Sequence, residues 1–183
     1  MRVAIVGAGV VGLAAARELA LRGDEVYVLE AAGHPGAGVT SRNSEVLHAG
    51  LYYPPGSLKA RLCVEGRDLA YAYLQARGVP FRRCGKLVVA ADAAEVPALE
   101  ALRANAEACG VAGLDIVDGA EARRRQPAVR CAAALVPPMT GVMDSAGLVR
   151  SLRGETERAG GVIVLRAPVV GAERAGDGYR LWA

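Results

Sequence analysis

Residues 40–56, TSRNSEVLHAGLYYPPG, concentrate side chains that could take part in chemistry. An imidazole that titrates near neutral pH, His48, could act as a base or orient a carboxylate. Tyr53 could reach a substrate through its hydroxyl group, and Lys59 could pair with a substrate carboxylate. We therefore take His48, Tyr53 and Lys59 as candidate catalytic residues. Their structural alternatives are a histidine fixed by backbone hydrogen bonds, a core tyrosine and a solvated surface lysine.

The stretch VAIVGAGVVGLAAARELA, residues 3–20, carries a second kind of chemical information. Gly7 permits a tight turn, Gly9 lets the backbone approach a pyrophosphate, and Gly12 allows close packing of helix on strand. The helix N-terminus offers N–H groups and a partial positive charge to phosphates. Glu30 ends the next predicted strand, where it can accept hydrogen bonds from ribose hydroxyls and would repel the 2′-phosphate of NADP. The predicted contacts to the dinucleotide are Gly7, Ala8, Gly9, Val11, Gly12 and Glu30.

This fingerprint leaves the identity of the nucleotide open. FAD and NAD share the strand, glycine turn, helix and acidic residue. A glycine-rich turn that binds no ligand is a further alternative.

Hydrophobic runs, and glycines at their ends, predict the helices and strands that position these residues. Strands over 2–6 and 25–30 flank a helix over 10–21, which together make one βαβ unit. Segment 31–56 is long for a connection, a length typical of functional loops. Ser57 and Gly78 delimit a helix over 58–77. Its residues Leu58, Leu62, Leu69 and Tyr73 share one side. Further predicted helices cover 95–109, 119–126 and 144–161, and further predicted strands lie within 81–91 (two strands), 114–118, 131–138, 162–165, 168–174 and 179–183.

Composition narrows the class of protein. The chain has 183 residues and a net charge of only +3, and its densest basic run is three arginines beside Glu121, which argues against a nucleic-acid-binding protein. Four widely spaced cysteines form no CxxC pair and predict neither a metal site nor a redox dithiol. With no signal peptide or apolar span, these features predict a soluble, cytoplasmic protein.

Longer motifs bring in a resemblance to known enzymes. The fingerprint resembles FAD-dependent oxidoreductases of the D-amino-acid oxidase/glycerol-3-phosphate dehydrogenase superfamily. NSEVLHAGLYYPPGSLKARLCVEG (43–66) is similar, more specifically, to the L-2-hydroxyglutarate dehydrogenase/oxidase family. CGKLVVA (84–90), EVPALEAL (95–102) and TGVMDSAGLV (140–149) continue the likeness along the chain.

The resemblance implies FAD as the cofactor and a flavin ring near residues 40–50. It favours a ligand-binding role for Thr40, Ser41, Asn43 and Ser44, whose alternative is local turn chemistry. The implied reaction oxidises a 2-hydroxy acid, with L-2-hydroxyglutarate as the candidate, by hydride transfer to the flavin. The implied partners are this small substrate and an electron acceptor that the residues do not identify. Peripheral membrane contact is expected only in a full-length form.

The resemblance also shows departures. Family members are longer and return to the nucleotide domain with a further strand, so this chain corresponds to their N-terminal portion. Glu45 stands where the hydroxyglutarate enzymes carry glycine. Residues 37–39, Ala-Gly-Val, lack the polar His-Gln that often precedes the threonine.

The resulting prediction is an α/β fold with a Rossmann-like FAD-binding βαβ unit and an inserted, partial α+β substrate domain. Residues 1–56 would form the βαβ unit and flavin loop, 57–143 the substrate region, and 144–183 a helix and strands that return to an incomplete FAD-binding domain. The predicted function is an FAD-dependent oxidoreductase acting on CH–OH groups. The alternatives are a non-catalytic nucleotide-binding remnant and an NAD-binding dehydrogenase module.

Overall fold

A computed structural model describes residues 1–183, which fold as two compact units. The first unit combines Met1–Ser44 with Asp144–Ala183, and the second is Glu45–Met143. The strands are β1 (Arg2–Val6), β2 (Glu25–Glu30), β3 (Val46–Leu47), β4 (Phe81–Arg82), β5 (Val88–Ala90), β6 (Asp115–Asp118), β7 (Ala133–Val136), β8 (Gly141–Met143), β9 (Val162–Leu165), β10 (Gly171–Ala175) and β11 (Gly178–Trp182). The helices are α1 (Val10–Leu21), α2 (Leu58–Arg77), α3 (Val96–Ala108), α4 (Gly119–Arg125) and α5 (Ser145–Arg158).

The first unit is built on a parallel sheet of three strands in the order β1-β2-β9. Val28 of the central strand lies opposite Ile5 on one side and Ile163 on the other, and it is fully buried. Helices α1 and α5 pack against each other. An ion pair between Arg17 and Glu155, both largely buried, joins the two helices. Strands β10 and β11 form a separate antiparallel hairpin.

The turn between β1 and α1 requires glycine at two positions. Gly7 adopts φ +97°, which L side chains rarely tolerate. A Cβ atom at Gly12 would lie 2.1 Å from the carbonyl oxygen of Gly7, so any side chain there would displace the turn. The Gly7 N–H donates to the carbonyl of Leu29 over 2.7 Å, which fixes the turn at the end of β2. The predicted βαβ unit is therefore present with the predicted element boundaries.

The second unit contains two antiparallel sheets, ordered β3-β8-β4 and β5-β7-β6, together with α2, α3 and α4. Its core is formed by Leu51, Leu99, Leu114 and Leu135, packed with several alanines. The sequence prediction of an α/β chain with an α+β portion is thus confirmed.

One boundary of the second unit differs from the sequence prediction, and one pairing goes beyond it. The unit begins at Glu45 instead of residue 57, because β3 pairs with β8 and ties residues 46–47 to this unit. The strands predicted within 81–91 belong to different sheets, since β4 pairs with β8 whereas β5 pairs with β7.

Helix α2 begins and ends where its capping residues predict. The Ser57 hydroxyl accepts the N–H of Ala60 over 3.2 Å, and Gly78 ends the helix in the left-handed conformation. The apolar side predicted from periodicity faces solvent, however: Leu58, Leu62 and Leu69 are 62%, 52% and 72% exposed. The buried side carries Ala60, Arg67, Tyr71 and Leu74.

No helix is long and apolar enough to cross a membrane. All four cysteines are free thiols, and no three His, Cys, Asp or Glu side chains lie close enough together to hold a metal ion.

Candidate functional site

The glycine turn of the first unit is held by the carboxylate of Glu30. One carboxylate oxygen accepts the N–H of Ala8 over 2.7 Å, and the other accepts the N–H of Ala32 over 2.8 Å. Two parts of the predicted fingerprint that lie 22 residues apart in the sequence are therefore in direct contact. Because an ionised carboxylate offers about four acceptor positions, two remain for hydroxyl donors.

The start of α1 has the properties of an anion site. Its N-cap is Gly9, which is extended and supplies no side-chain cap to the first-turn N–H groups. Those groups lack intrahelical partners and carry the positive end of the helix dipole. The Thr40 hydroxyl accepts the N–H of Val10 over 3.2 Å. Together with the bare backbone at Gly7 and Gly9, this chemistry fits a pyrophosphate, and Glu30 fits the adjoining ribose.

The polar residues after Val39 make bonds within their own segment. The Ser41 hydroxyl donates to the carbonyls of Ala37 and Gly38 over 3.1 and 2.9 Å. The Asn43 amide donates to the carbonyl of Thr40. Thr40 touches the glycine turn, whereas Ser41 and Asn43 shape the loop, and Ser44 is exposed. A cofactor-binding role for Thr40, Ser41, Asn43 and Ser44 stays a prediction.

A cavity of about 340 Å³ lies in the first unit between residues 34–41 and α5. Its charged lining includes Arg150 and Arg153, which sequence reasoning did not single out. Each of these arginines pairs with a nearby carboxylate: Arg150 with Asp144, the N-cap of α5, and Arg153 with Glu157 of α5.

In the second unit, the backbone around His48 and Tyr53 is held by side chains of α2, of α3 and of the residue after α3. From α2, Arg67 donates to the carbonyl of Ala49 over 3.2 Å, and the Cys63 thiol lies 3.7 Å from the carbonyl of His48. Burial raises the pKa of that thiol, which keeps it protonated as a donor. From α3, the Asn105 amide donates to the carbonyls of Leu51 and Tyr53 over 2.8 and 3.0 Å. Cys109, next to the end of α3, bonds to the same Tyr53 carbonyl over 3.3 Å.

Tyr53 and Lys59 lie together, as candidate residues of one site should. The Lys59 ammonium is 4.6 Å from the centre of the Tyr53 ring. Both line a shallow depression with Leu58, Leu62 and Cys63. The arrangement presents an ammonium beside a phenol, which suits binding of a carboxylate.

His48 belongs to a different group of side chains. His48 is exposed, yet the desolvation of its ring by nearby protein atoms and the positive charge of Lys86 lower its pKa below its ordinary value. Lys86 in turn donates to the Tyr52 hydroxyl over 2.7 Å, and its ammonium lies 4.5 Å from the centre of the Tyr52 ring. Sequence reasoning missed Lys86 as a neighbour of His48. The available signal was its rarity, because the chain has only two lysines.

The Tyr52–Tyr53 pair differs from expectation in one respect. An extended backbone would have buried one tyrosine, yet Tyr52 is exposed and Tyr53 is half-buried. Residues 51–52 form a turn, and Leu51 fills the core in their place.

Glu45 adopts φ +57°, a left-handed conformation that favours glycine. The glycine that the resemblance implies at this position would suit this backbone conformation. The Glu45 carbonyl accepts the N–H of Met143 over 3.0 Å, so the strained residue also begins the β3–β8 pairing.

Comparison with known proteins gives a family match that agrees with the nucleotide-binding chemistry of the glycine turn. A family model described as FAD dependent oxidoreductase matches residues 2–182. L-2-hydroxyglutarate dehydrogenase, mitochondrial, of Arabidopsis thaliana is 49% identical over 148 residues, covering 81% of this chain and 31% of the plant protein. The Homo sapiens protein of the same name is 39% identical over 175 residues, covering 94% of this chain and 38% of the human protein. The chain thus spans about a third of the length of these curated relatives.

Solved structures share the fold at lower identity. L-alpha-glycerophosphate oxidase from Mycoplasma pneumoniae with FAD bound superposes with a TM-score of 0.90 at 24% identity, covering 98% of this chain and 48% of that protein. Glycine oxidase from Geobacillus kaustophilus gives a TM-score of 0.88 at 24% identity, covering 98% and 51%.

One sequence prediction is overturned by these relatives. The prediction of a cytoplasmic protein is wrong, because the L-2-hydroxyglutarate dehydrogenases that match this chain are mitochondrial. The prediction rested on the absence of an N-terminal signal and on scattered cysteines, and neither feature distinguishes the two compartments.

Proposed function

Because the chain belongs to the family of FAD-dependent oxidoreductases, we propose that it forms part of an enzyme that oxidises a 2-hydroxy acid to a 2-oxo acid. The candidate substrate is L-2-hydroxyglutarate. The observation that carries the proposal is the contact between Glu30 and the glycine turn, which brings the acidic residue to the start of α1, as a nucleotide site requires. Identity of 49% and 39% to two L-2-hydroxyglutarate dehydrogenases supports the substrate class.

The chain's own residues would contribute binding and proton handling. The N–H groups at Gly9, Val11 and Gly12 would hold the FAD pyrophosphate, and Glu30 would hold the adenosine ribose. When bound, FAD supplies the two-electron oxidation. Thr40, which already contacts the first turn of α1, would add a hydroxyl group beside the pyrophosphate.

In the second unit, His48 is our candidate for taking up the substrate hydroxyl proton. Its lowered pKa favours the neutral imidazole, the form that can accept a proton. Lys59 is our candidate for pairing with a substrate carboxylate, with Tyr53 beside it as a hydroxyl donor.

Retention of FAD tests the nucleotide part of this proposal. The purified chain, mixed with FAD, should keep the flavin absorbance through gel filtration, and FAD should bind more tightly than NAD⁺. Gly9→Val should abolish this binding, because its side chain occupies the path of the pyrophosphate. Gly66→Val is a matched control, since a Cβ at that α2 position meets no atom within 4 Å. Colourless protein would contradict the proposal and favour the non-catalytic remnant, whereas tighter binding of NAD⁺ would favour the dehydrogenase module.

Bleaching of the bound flavin tests the substrate. Under anaerobic conditions, L-2-hydroxyglutarate should reduce the visible flavin absorbance faster than its D-enantiomer does. Equal rates with both enantiomers would contradict a site built for the L-form.

A further inference from the structure

The second unit contains a cavity of about 400 Å³ that is lined by none of the three candidate catalytic residues. It lies between the β4–β5 connection and the end of α4, and its lining includes three cationic side chains, Arg82, Lys86 and Arg125. This volume falls within the usual range of small-molecule sites. No aspartate or glutamate lines the cavity.

The positive charges of this cavity are only partly neutralised. Arg82 is exposed and has no carboxylate partner. Lys86 bonds to the Tyr52 hydroxyl, which carries no charge. Arg125 pairs with Glu121 over 2.6 Å, but that single carboxylate is shared with Arg124. Two of the three cations that line the cavity, Arg82 and Lys86, thus have no carboxylate partner, in contrast to the paired arginines of the first unit's cavity.

Local structure brings these residues together from distant parts of the sequence. Between β4 and β5 the chain turns at Gly85, which has φ +64° and donates its N–H to the carbonyl of Thr140 over 2.9 Å. This turn sets Arg82 and Lys86 on the same cavity. The N-cap of α4, Asp118, accepts the N–H of Glu121 over 2.7 Å and fixes the helix whose last residue is Arg125.

We propose that this cavity binds a small dicarboxylate. Two uncompensated cations match two carboxylate groups, and guanidinium groups bind carboxylates in a bidentate manner. Gln126 adds an amide that can bond a carboxylate oxygen. Val129 and Val136 supply apolar walls, which suit a short carbon chain better than an inorganic anion. The proposal stands on the second unit alone and does not rest on the oxidation of a 2-hydroxy acid.

Calorimetric titration of the chain with succinate tests this site, in a buffer free of phosphate and sulfate. Succinate should bind at one saturable site, and acetate should bind at least tenfold more weakly. Arg82→Gln and Lys86→Gln should each weaken succinate binding at least tenfold. Arg123→Gln is the matched control: it also removes one positive charge from an exposed position on α4 but does not line the cavity, so it should change affinity less than twofold.

Three results would overturn the proposal: no saturable binding, equal weakening by Arg82→Gln and Arg123→Gln, or phosphate binding as tightly as succinate. Thermal midpoints by circular dichroism verify that each variant is folded, and Arg82→Lys provides a second variant that keeps the charge but loses bidentate geometry. Succinate binding should persist in Gly9→Val. Failure of the FAD site and failure of this cavity are therefore separate results.

Discussion

At the scale of single residues, the two lysines of this arginine-rich chain have related environments. Lys59 lies over the ring of Tyr53, and Lys86 lies over the ring of Tyr52 and bonds to its hydroxyl. A compact ammonium group fits both a ring face and a phenol oxygen. The adjacent rings of Tyr52 and Tyr53 therefore each contact one lysine. One of these lysines, Lys86, also lowers the pKa of His48.

This environment predicts a measurable effect on His48. Replacing Lys86 by methionine removes a positive charge that disfavours the imidazolium form, so the pKa of His48 should rise. Because desolvation of the ring is the larger cause of the lowering, the pKa should recover only in part. Proton NMR titration of the ring Cε1–H signal measures it, and His34→Asn assigns the two histidine signals.

Lys59→Met is the control for this titration, since Lys59 is not among the groups that act on His48. An equal rise in the pKa of His48 in both variants would show that net charge, instead of proximity, sets the value.

Residue types alone predicted some of this arrangement. Tyr53 and Lys59 were identified as candidates and lie in contact, since they are close in sequence. Lys86 and Asn105 act on the same segment from positions 34 to 54 residues away. No local pattern signals such contacts, because they depend on how β4, β5 and α3 pack.

At the scale of elements, segment 48–53 is irregular yet held at four of its carbonyls by side chains from α2, α3 and the residue after α3. Irregular segments without such bonds leave backbone groups unpaired when they are buried. Arg67 is the one charged side chain among these donors, and it is buried. Its guanidinium also donates to both carboxylate oxygens of Asp68, which lowers the pKa of that carboxyl. The two helices thus position His48 and Tyr53 through the backbone.

Arg67→Met should show the cost of losing this support. The substitution leaves the carbonyl of Ala49 without its charged donor, for which we expect a loss of about 2 kcal/mol in the free energy of unfolding. Faster hydrogen exchange at residues 48–51 should accompany it. Urea denaturation measures the first effect and exchange mass spectrometry the second.

Arg61→Met provides the comparison on the same helix. Arg61 and Glu65 are both exposed and 3.9 Å apart, so this pair contributes less than about 1 kcal/mol. If both variants lost the same stability, the contact between Arg67 and segment 48–53 would have no special role.

Element boundaries followed the sequence closely where glycine and capping residues mark them. Helix α1 and strand β2 coincide with their predicted limits, and Ser57 and Gly78 delimit α2. The solvent-facing side of α2 was not predictable in the same way. Periodicity identifies which residues share a side, but burial depends on which side meets the sheets.

At the scale of the whole molecule, the chain alternates between its two compact units, since residues 144–183 complete the unit that residues 1–44 begin. The sequence indicated this return through a capped helix and an apolar strand. The pairing of β9 with β2 required the three-dimensional structure, because β1 and β2 alone could accept a partner on either edge.

FAD should stabilise the first unit by linkage. Only the folded chain presents the turn at Gly7–Gly12 with Glu30 bound to it, so a ligand of this site favours the folded state. At FAD concentrations one hundred times the dissociation constant, the free energy of unfolding of this unit should rise by about 2.7 kcal/mol. Hydrogen exchange of amides in α1 and β2 reports this rise separately from the second unit. Gly9→Val, measured with and without FAD, should show no gain; an equal gain in this variant would mean that FAD stabilises the chain from another site.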